Sequence, residues 1–556
     1  MSPWALSALI ALPIAGAVAV ACTPARRPAA ARAAGLAAAV LTFALAAWVW
    51  TAFRPGQAGL QFEERAAWVP AAGIGYHLGV DGLSVSLTVL VALLVPLAIA
   101  ASADQVRERG KPFVLTLLLL EAGLLGTFLA QDLVLFYVFW EAMLIPMYFL
   151  IALWGGPARR AAAIKFLLYT MAGSALMLLA IVAVYLRGGQ VLGTPTFDLP
   201  SLIARPLGWP PHVEALLFGA FAVAFAIKMP VWPLHTWLPD AYAEAPPVVT
   251  VLLAGLMAKA GAYGLLRFCL PLFPDAARAW GPLLAALAVV GVLYGGAVAW
   301  AQGDLRRLLA YGSLSHMGFI LLGIFALDVQ AVQGSVLQMI NHGVSTGALF
   351  LLAGMLIART GRARTDAYGG LAAATPALAA VTLIVVASSL ALPGTNGFVG
   401  EFLILLGAFQ TRPLYTVLAT AGIVLAAAYL LAFVGRIFHG PLRADLRGLP
   451  DLRPREYAVL APLVAIILWV GFVPGPLLDR SEATVRALLR GPATSTEGPS
   501  RPPAALQLHG GPPRVGGQGR WAAKTGSMAS AAQHAAPARP SPVRPDRGAA
   551  RKAAGP

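Results

Sequence analysis

The chain has 556 residues, of which 59% are hydrophobic and only 12% charged, against about 25% charged in an ordinary soluble protein. A soluble chain of this length would form roughly three or four domains, each needing a polar surface that this composition does not supply. The formal charge of +16 does not indicate nucleic acid: residues 491–556 hold nine Arg or Lys against Glu497 and Asp546, and the remaining excess lies mainly in loops between apolar runs, as membrane topology requires.

Fourteen apolar runs follow one another in chain order, near 4–22, 33–53, 80–102, 112–130, 133–154, 161–186, 213–233, 247–269, 279–301, 305–327, 331–358, 375–408, 414–438 and 455–474. Runs of about 20 residues without period-two alternation predict an all-α polytopic membrane protein and exclude an outer-membrane barrel. No basic segment precedes the first run, and Arg26 and Arg27 follow it, so a cleavable signal peptide is not expected. The run at 213–233 passes into Lys228-Met229-Pro230-Val231-Trp232-Pro233, and the long run at 375–408 contains Leu392-Pro393-Gly394-Thr395-Asn396-Gly397. Proline removes a backbone donor and clashes with the preceding turn, so both are predicted to be broken helices. Two interrupted spans, five helices apart, point to an internal repeat with a transport site in each half.

Alternate loops beginning after the first run carry eighteen Arg or Lys, and the opposite set carries seven. The richer side is expected to be cytoplasmic, which places both termini outside. The 66 residues of 491–556 contain eleven Pro and only six Leu, Val, Met or Trp, a composition expected to stay disordered. Such a basic tail is either a lipid-binding segment or an extension without function. Cys22 and Cys269 both lie in apolar stretches and make neither a disulfide framework nor a metal motif.

An ionisable side chain at the bilayer centre costs about 2.5–3.5 kcal/mol on insertion scales, so each one needs a reason. Of six lysines, Lys524 and Lys552 are in the tail, Lys111 is in a loop, and Lys165 stands near a helix start, where it can snorkel. Lys228 and Lys259 remain deep in apolar runs, with Glu121, Glu141 and Glu401 and the histidines His316 and His342. Apolar surroundings favour a neutral lysine and a nearby carboxylate favours the charged one. A group poised between the two changes protonation when its neighbour moves, as a proton relay requires. Glu141 is the natural partner of Lys228, with Lys259 and Glu401 as further stations and the histidines as intermediates. The plainer reading makes any one Lys–Glu pair a packing device, but four deep charges and two histidines spread over both broken halves favour conduction. Glu121 is equally suited to helix packing. His235 and Asp240, in PLHTWLPDAYAEAP, serve equally well as loop hydrogen-bonders or as accessory proton groups. No GxxxxGK[ST] or GxGxxG motif occurs, and Ser315-His316 and Ser345 near His342 lack the third group of a hydrolase triad. The chain reads as a device driven by a partner or an ion gradient.

KMPVWPLHTWLPDAYAEAP, then LLAGLMAKAGAYGLLRF, DLRRLLAYGSLSHMGFILLG, INHGVSTGALFLLAGML and LPGTNGFVGEFLIL resemble, in this order, the antiporter-like subunits of respiratory complex I. The resemblance covers roughly residues 1–475. It implies fourteen helices with two inverted five-helix repeats: three N-terminal helices over 1–111, a first repeat over 112–269, a second over 279–438 and a last helix at 455–474. It also implies that Glu141 and Lys228 form the ion pair of the first half-channel, that Lys259 is the central link, that His316 and His342 continue the hydrophilic axis, and that Glu401 is the terminal proton site. Other antiporter-like subunits and the multisubunit Na+/H+ antiporters typically have lysine where Glu401 stands, which singles out one branch of the family. Members end soon after the last helix, and the basic tail departs from that pattern.

The implied function is proton translocation within an NADH:quinone oxidoreductase of a bacterial cell membrane. This chain would be a non-catalytic subunit, with NAD, FMN, iron–sulfur clusters and quinone all held by partner subunits and no cofactor or metal here. Its partners would be the other membrane subunits and the lipid bilayer. The alternatives are a subunit of a multisubunit Na+/H+ antiporter, a subunit of a related membrane-bound hydrogenase complex, and a non-conducting scaffold.

Overall fold

The computed structural model describes residues 4–24, 26–106 and 108–490; the tail at 491–556 lies outside the described residues. Among the described residues, thirteen helices are long and apolar enough to cross a membrane. The span predicted at 375–408 supplies the fourteenth crossing as two half-helices, Pro376–Ser389 and Asn396–Thr411. The chain is therefore a multi-pass membrane protein. Its helices begin where local chemistry starts them. Pro211, Pro247, Pro274, Pro376, Pro413 and Pro454 each open a helix, where a missing N–H has no partner to lose. Asp132, Asp304 and Asp328 cap others by accepting from backbone N–H groups of the first turn, satisfying donors that the helix leaves free.

The helices form two sets of five with matched order and opposed direction. In the first set, the connection before Leu133 bridges the connection that follows the Arg159–Leu192 helix, through Leu133 N–H to Phe197 O at 2.9 Å and Leu199 N–H to Gln131 O at 2.9 Å. The second set repeats this five helices later, with Leu305 N–H to Ala363 O and Thr365 N–H to Gly303 O, both at 2.8 Å. An odd offset reverses the direction of each helix, so the two bridges fall at opposite ends of the bundle. Each set also contains a helix broken at a proline, near Pro230 and Pro393, as expected of an inverted repeat.

Three features lie outside the sequence expectation. An antiparallel hairpin, β1 (Gln61–Val69) and β2 (Ile74–Val80), turns at Gly73 with φ +68°, and it delays the third helix from the predicted residue 80 to Val85. An amphipathic helix, Gly475–Arg490, follows the last crossing and is held by Arg480, whose guanidinium lies 3.5 Å from the Trp50 ring centroid. The eighth crossing, Pro247–Leu272, contains two π-helical turns, at Leu253–Met257 and Leu265–Cys269.

Candidate functional site: a buried polar axis

The first break positions Lys228. Its helix, Pro211–Lys228, stops ahead of Pro230, shorter than the predicted 213–233, and the chain turns through to a short helix at Leu238–Glu244. Trp237 Nε1–H donates to Ile227 O at 2.9 Å and satisfies one carbonyl that the break frees. Lys228 is 1% exposed, its Nζ has no hydrogen-bond partner, and it stands 4.6 Å from the Trp140 ring centroid. Glu141, next to Trp140, is half-buried near the end of the Leu133–Ala142 helix, where Met143 interrupts the fifth crossing. Its Oε1 is likewise without a partner. Among the described residues, no ion pair within 4.0 Å joins Glu141 to Lys228. Glu121 is fully buried with both carboxyl oxygens unpartnered.

The centre is built on the first π-turn. Widening a helix to i→i+5 leaves a carbonyl accessible inside it, a feature often found at functional sites. Here Lys259 Nζ donates to Ala254 O at 2.5 Å, five residues back, and lies 2.5 Å from His342 Nδ1. The His342 and His316 ring centroids are 5.8 Å apart, and His316 Nδ1 is 2.8 Å from Glu401 Oε1. Tyr429 OH is 3.5 Å from His316 Nε2. Four of the predicted residues therefore form one continuous lateral series, Lys259–His342–His316–Glu401, linking the two sets of helices. All four are buried.

The second break adds groups that sequence reasoning missed. Gln338 Nε2–H donates to the same Glu401 oxygen at 3.1 Å, Asn341 Nδ2–H donates to Gln338 Oε1 at 3.2 Å and to Asn396 O at 2.7 Å, and Ser388 Oγ–H donates to Asn396 Oδ1 at 2.5 Å. Gly400 permits this approach: a Cβ there would lie 2.2 Å from Gln338 Oε1. The available signal was positional. Gln338, Asn341, His342 and Ser345 recur at helical spacing on one face of an otherwise apolar helix, and a search restricted to titratable groups passes over the amides.

The remaining groups lie outside the Lys259–Glu401 series. His235 is 4% exposed, its Nδ1 is unpartnered, and its ring meets that of Tyr294 edge-on at 5.2 Å. Asp240 binds Lys165 Nζ and Arg307 Nη2, each at 2.8 Å, so Lys165 is paired where the sequence suggested a snorkelling lysine. Burial alone would raise the Asp240 carboxyl, but these hydrogen bonds and charges hold it below its ordinary value. Arg267 lies within the eighth crossing and pairs with Asp81 at 2.6 Å.

A family described as NADH:quinone oxidoreductase/Mrp antiporter, TM, matches residues 130–426. The chain belongs to this family. The matched segment contains Glu141, Lys228, Lys259, His316, His342 and Glu401, and leaves Glu121 outside. Similar proteins include NADH-quinone oxidoreductase subunit M of Rhodobacter capsulatus, 44% identical over 82% of this chain and 90% of that protein. The Escherichia coli K12 protein of the same name is 43% identical over 76% of this chain and 84% of that one. Among solved structures, a chain of respiratory complex I from Thermus thermophilus with bound NADH is 36% identical, with a TM-score of 0.78 over 88% of this chain and 100% of that one. A chain of the Mrp complex from Dietzia sp. matches at 25% identity and a TM-score of 0.74, covering 86% of this chain and 52% of that one.

Proposed function

We propose that this chain is a proton-translocating membrane subunit of an NADH–quinone oxidoreductase, of the subunit M type, and that its protons move along the buried axis from Glu141 and Lys228 through Lys259, His342 and His316 to Glu401. The observation that carries this reading is the contact series Lys259–His342–His316–Glu401, which joins a broken-helix set to its inverted counterpart through groups that all bind and release protons. The division into N-terminal helices (1–111), first set (112–269), second set (279–438) and last helix (455–474) belongs to the same proposal and draws on the matched bridges at Leu133 and Leu305. Glu121 and His235 are accessory to the axis.

Electrons do not enter this chain in the proposed mechanism; NAD, FMN, iron–sulfur clusters and quinone belong to partner subunits. Their redox energy arrives as an electrostatic disturbance. In this structure Lys228 Nζ has no hydrogen-bond partner and faces the Trp140 ring at 4.6 Å. Approach of the Glu141 carboxylate favours a protonated Lys228, and withdrawal sends that proton toward Lys259 and Glu401. Export against a membrane potential requires about 2.3 kcal/mol per charge per 100 mV. A swing of a few pKa units, at about 1.4 kcal/mol each, is of that size. The excess of basic residues in alternate loops favours a bacterial cell membrane orientation with those loops in the cytoplasm and both termini outside. Glu401, where Na+/H+ exchangers of this resemblance carry lysine, disfavours the antiporter reading.

Inverted membrane vesicles carrying Lys228→Ala test the proposal. With the complex assembled, loss of coupled acidification during NADH-driven quinone reduction is the expected result. Unchanged acidification sinks the reading. Normal NADH oxidation and pumping, with Na+/H+ exchange lost, moves the chain to the antiporter class.

A further inference from the structure

Glu401 sits at a junction with two exits. One leads laterally, through His316 at 2.8 Å, to His342 and Lys259. The other runs along the Val329–Thr360 helix toward its Thr360 end, and its first members are Gln338, Asn341 and Asn396. Beyond these amides, about one helical turn further on, stand two hydroxyls, Ser345 and Ser388, 2.6 Å apart. Asn396 joins the layers: its Oδ1 accepts from Ser388, and its Nδ2–H lies 3.3 Å from Ser345 Oγ and 3.4 Å from Asn341 O. Gln338, Asn341, Asn396, Ser345, Ser388 and Glu401 are each no more than 4% exposed.

The chemistry of the two exits differs. Imidazole, carboxyl and ammonium groups accept a proton on one side and release another. A primary amide carries two N–H donors and one carbonyl acceptor, and it neither gains nor loses a proton in the physiological range. Passing a proton through it demands the imidic acid tautomer. Here the donors are also engaged: Gln338 Nε2 points at Glu401, and Asn341 Nδ2 is shared between Gln338 Oε1 and the Asn396 carbonyl. Asn341 Oδ1 alone among these amide atoms has no partner, and the other bonds hold the amides in place. The close approach at Gly400, where any Cβ would meet Gln338 Oε1 at 2.2 Å and Asn341 Nδ2 at 2.9 Å, keeps the amides pressed against the Glu401 turn.

We propose that Gln338, Asn341 and Asn396 form a proton-insulating plug, which holds Glu401 toward His316 and prevents its proton from returning along the second broken span to the Ser345–Ser388 hydroxyl pair. The residues are positioning groups. They touch the terminal acid without carrying its proton, and they give the second half-channel its direction. The proposal rests on the reading of the Lys259–Glu401 series as the proton path. Without the plug, hydroxyls and the acid would be joined by groups that pass protons, and a proton delivered to Glu401 would leak back.

The test replaces amides by groups of similar shape that titrate or relay. The complete complex carrying Gln338→Glu together with Asn341→Asp is examined in inverted vesicles for NADH-driven quinone reduction, for steady-state acidification, and for passive proton permeability after an imposed pH step with the respiratory chain inhibited. The expected result is retained electron transfer, reduced acidification and a several-fold rise in passive proton permeability. If burying two acids prevents assembly, Gln338→Ser with Asn341→Ser supplies hydroxyls without added charge and is expected to leak in the same way. Gln338→Met with Asn341→Leu, which cannot relay, is expected to stay proton-tight even where pumping slows, and a merely structural role predicts no such contrast. Assembled acid or serine variants that remain tight and fully coupled overturn the plug. Lys228→Ala vesicles separate the two failures: if they pump normally the underlying proton path is wrong, whereas if they do not and the amide variants stay tight, only the plug is wrong.

Discussion

Lys228 and Lys259 are chemically identical, equally buried, and expected to respond to the same substitution with opposite changes in stability. Lys228 Nζ makes no hydrogen bond, and the Trp140 ring, 4.6 Å away, and the charge of Glu141 are its compensation. An ammonium at membrane depth costs about 2.5–3.5 kcal/mol on insertion scales, and a desolvated aromatic contact returns about 0.5–2 kcal/mol. Lys228→Met, similar in length and apolar throughout, is therefore expected to stabilise the fold by up to about 3 kcal/mol. Lys259 Nζ makes two bonds of 2.5 Å, to Ala254 O and His342 Nδ1. Charge-assisted bonds contribute about 1.5–3 kcal/mol each, which exceeds the insertion cost removed with the charge. Lys259→Met is expected to destabilise by about 1–2 kcal/mol, leaving the π-turn carbonyl and His342 without their donor. The assay is SDS titration of the detergent-solubilised chain followed by tryptophan fluorescence, with proton pumping of each variant measured in vesicles. Both variants are expected to lose pumping. If their midpoints shift in the same direction, Lys228 is not the unsatisfied charge described here, and the trigger assigned to it fails.

Two further outcomes follow from the ion pairs outside the axis. Arg359 grips Glu456 through Nη1 and Nη2 at 2.7 and 2.5 Å, with side chains 7% and 10% exposed, and also donates to the Pro450 and Asp451 carbonyls. Arg359→Ala is expected to lose about 3–5 kcal/mol by stranding a buried carboxylate; Arg359→Leu with Glu456→Leu recovers part of this, and equal losses in the two would contradict the account. The Lys165–Asp240–Arg307 cluster carries a pH signature. Asp240 is held below its ordinary value, so its contribution is fully present above about pH 4 and disappears as pH falls through the lower folded value. With the carboxylate about a third exposed, that contribution is at most about 1 kcal/mol. The stability difference between the unaltered chain and Asp240→Asn should be constant near neutrality and shrink on acidification, whereas a difference that grows in acid would reverse the sign of the argument.

The crossings were legible because a bilayer imposes one strong rule, about 20 apolar residues per span, and because proline punctuates helices by known mechanics. Both breaks were visible for that reason, at Pro230 and at Pro393. The hairpin at 61–80 was not, since its strands lie between apolar runs and outside the reach of any hydropathy argument. Nor were the π-turns beside Lys259: they depend on how the Pro247–Leu272 helix packs against its neighbours, where every residue of the Leu253–Met257 turn is buried. Candidate site residues were found by charge, a criterion that recovered Lys259, His316, His342 and Glu401 as one series. The same criterion overlooked Gln338, Asn341 and Asn396, which matter by refusing protons.

The two halves share one scaffold but put it to different electrostatic use. Each has a capping aspartate at the second helix of its set, Asp132 or Asp304, a two-bond bridge beside it, and one broken helix. In the first half the charge at the break, Lys228, is left without a hydrogen bond. In the second, Glu401 Oε1 accepts from Gln338 and lies 2.8 Å from His316 Nδ1. An unsatisfied charge in low dielectric responds steeply to any neighbour that moves, because nothing local offsets the field. A charge anchored by two polar partners resists the same disturbance and holds its geometry. In the proposed path, a symmetric scaffold becomes directional by the hydrogen bonds it grants to one half and withholds from the other.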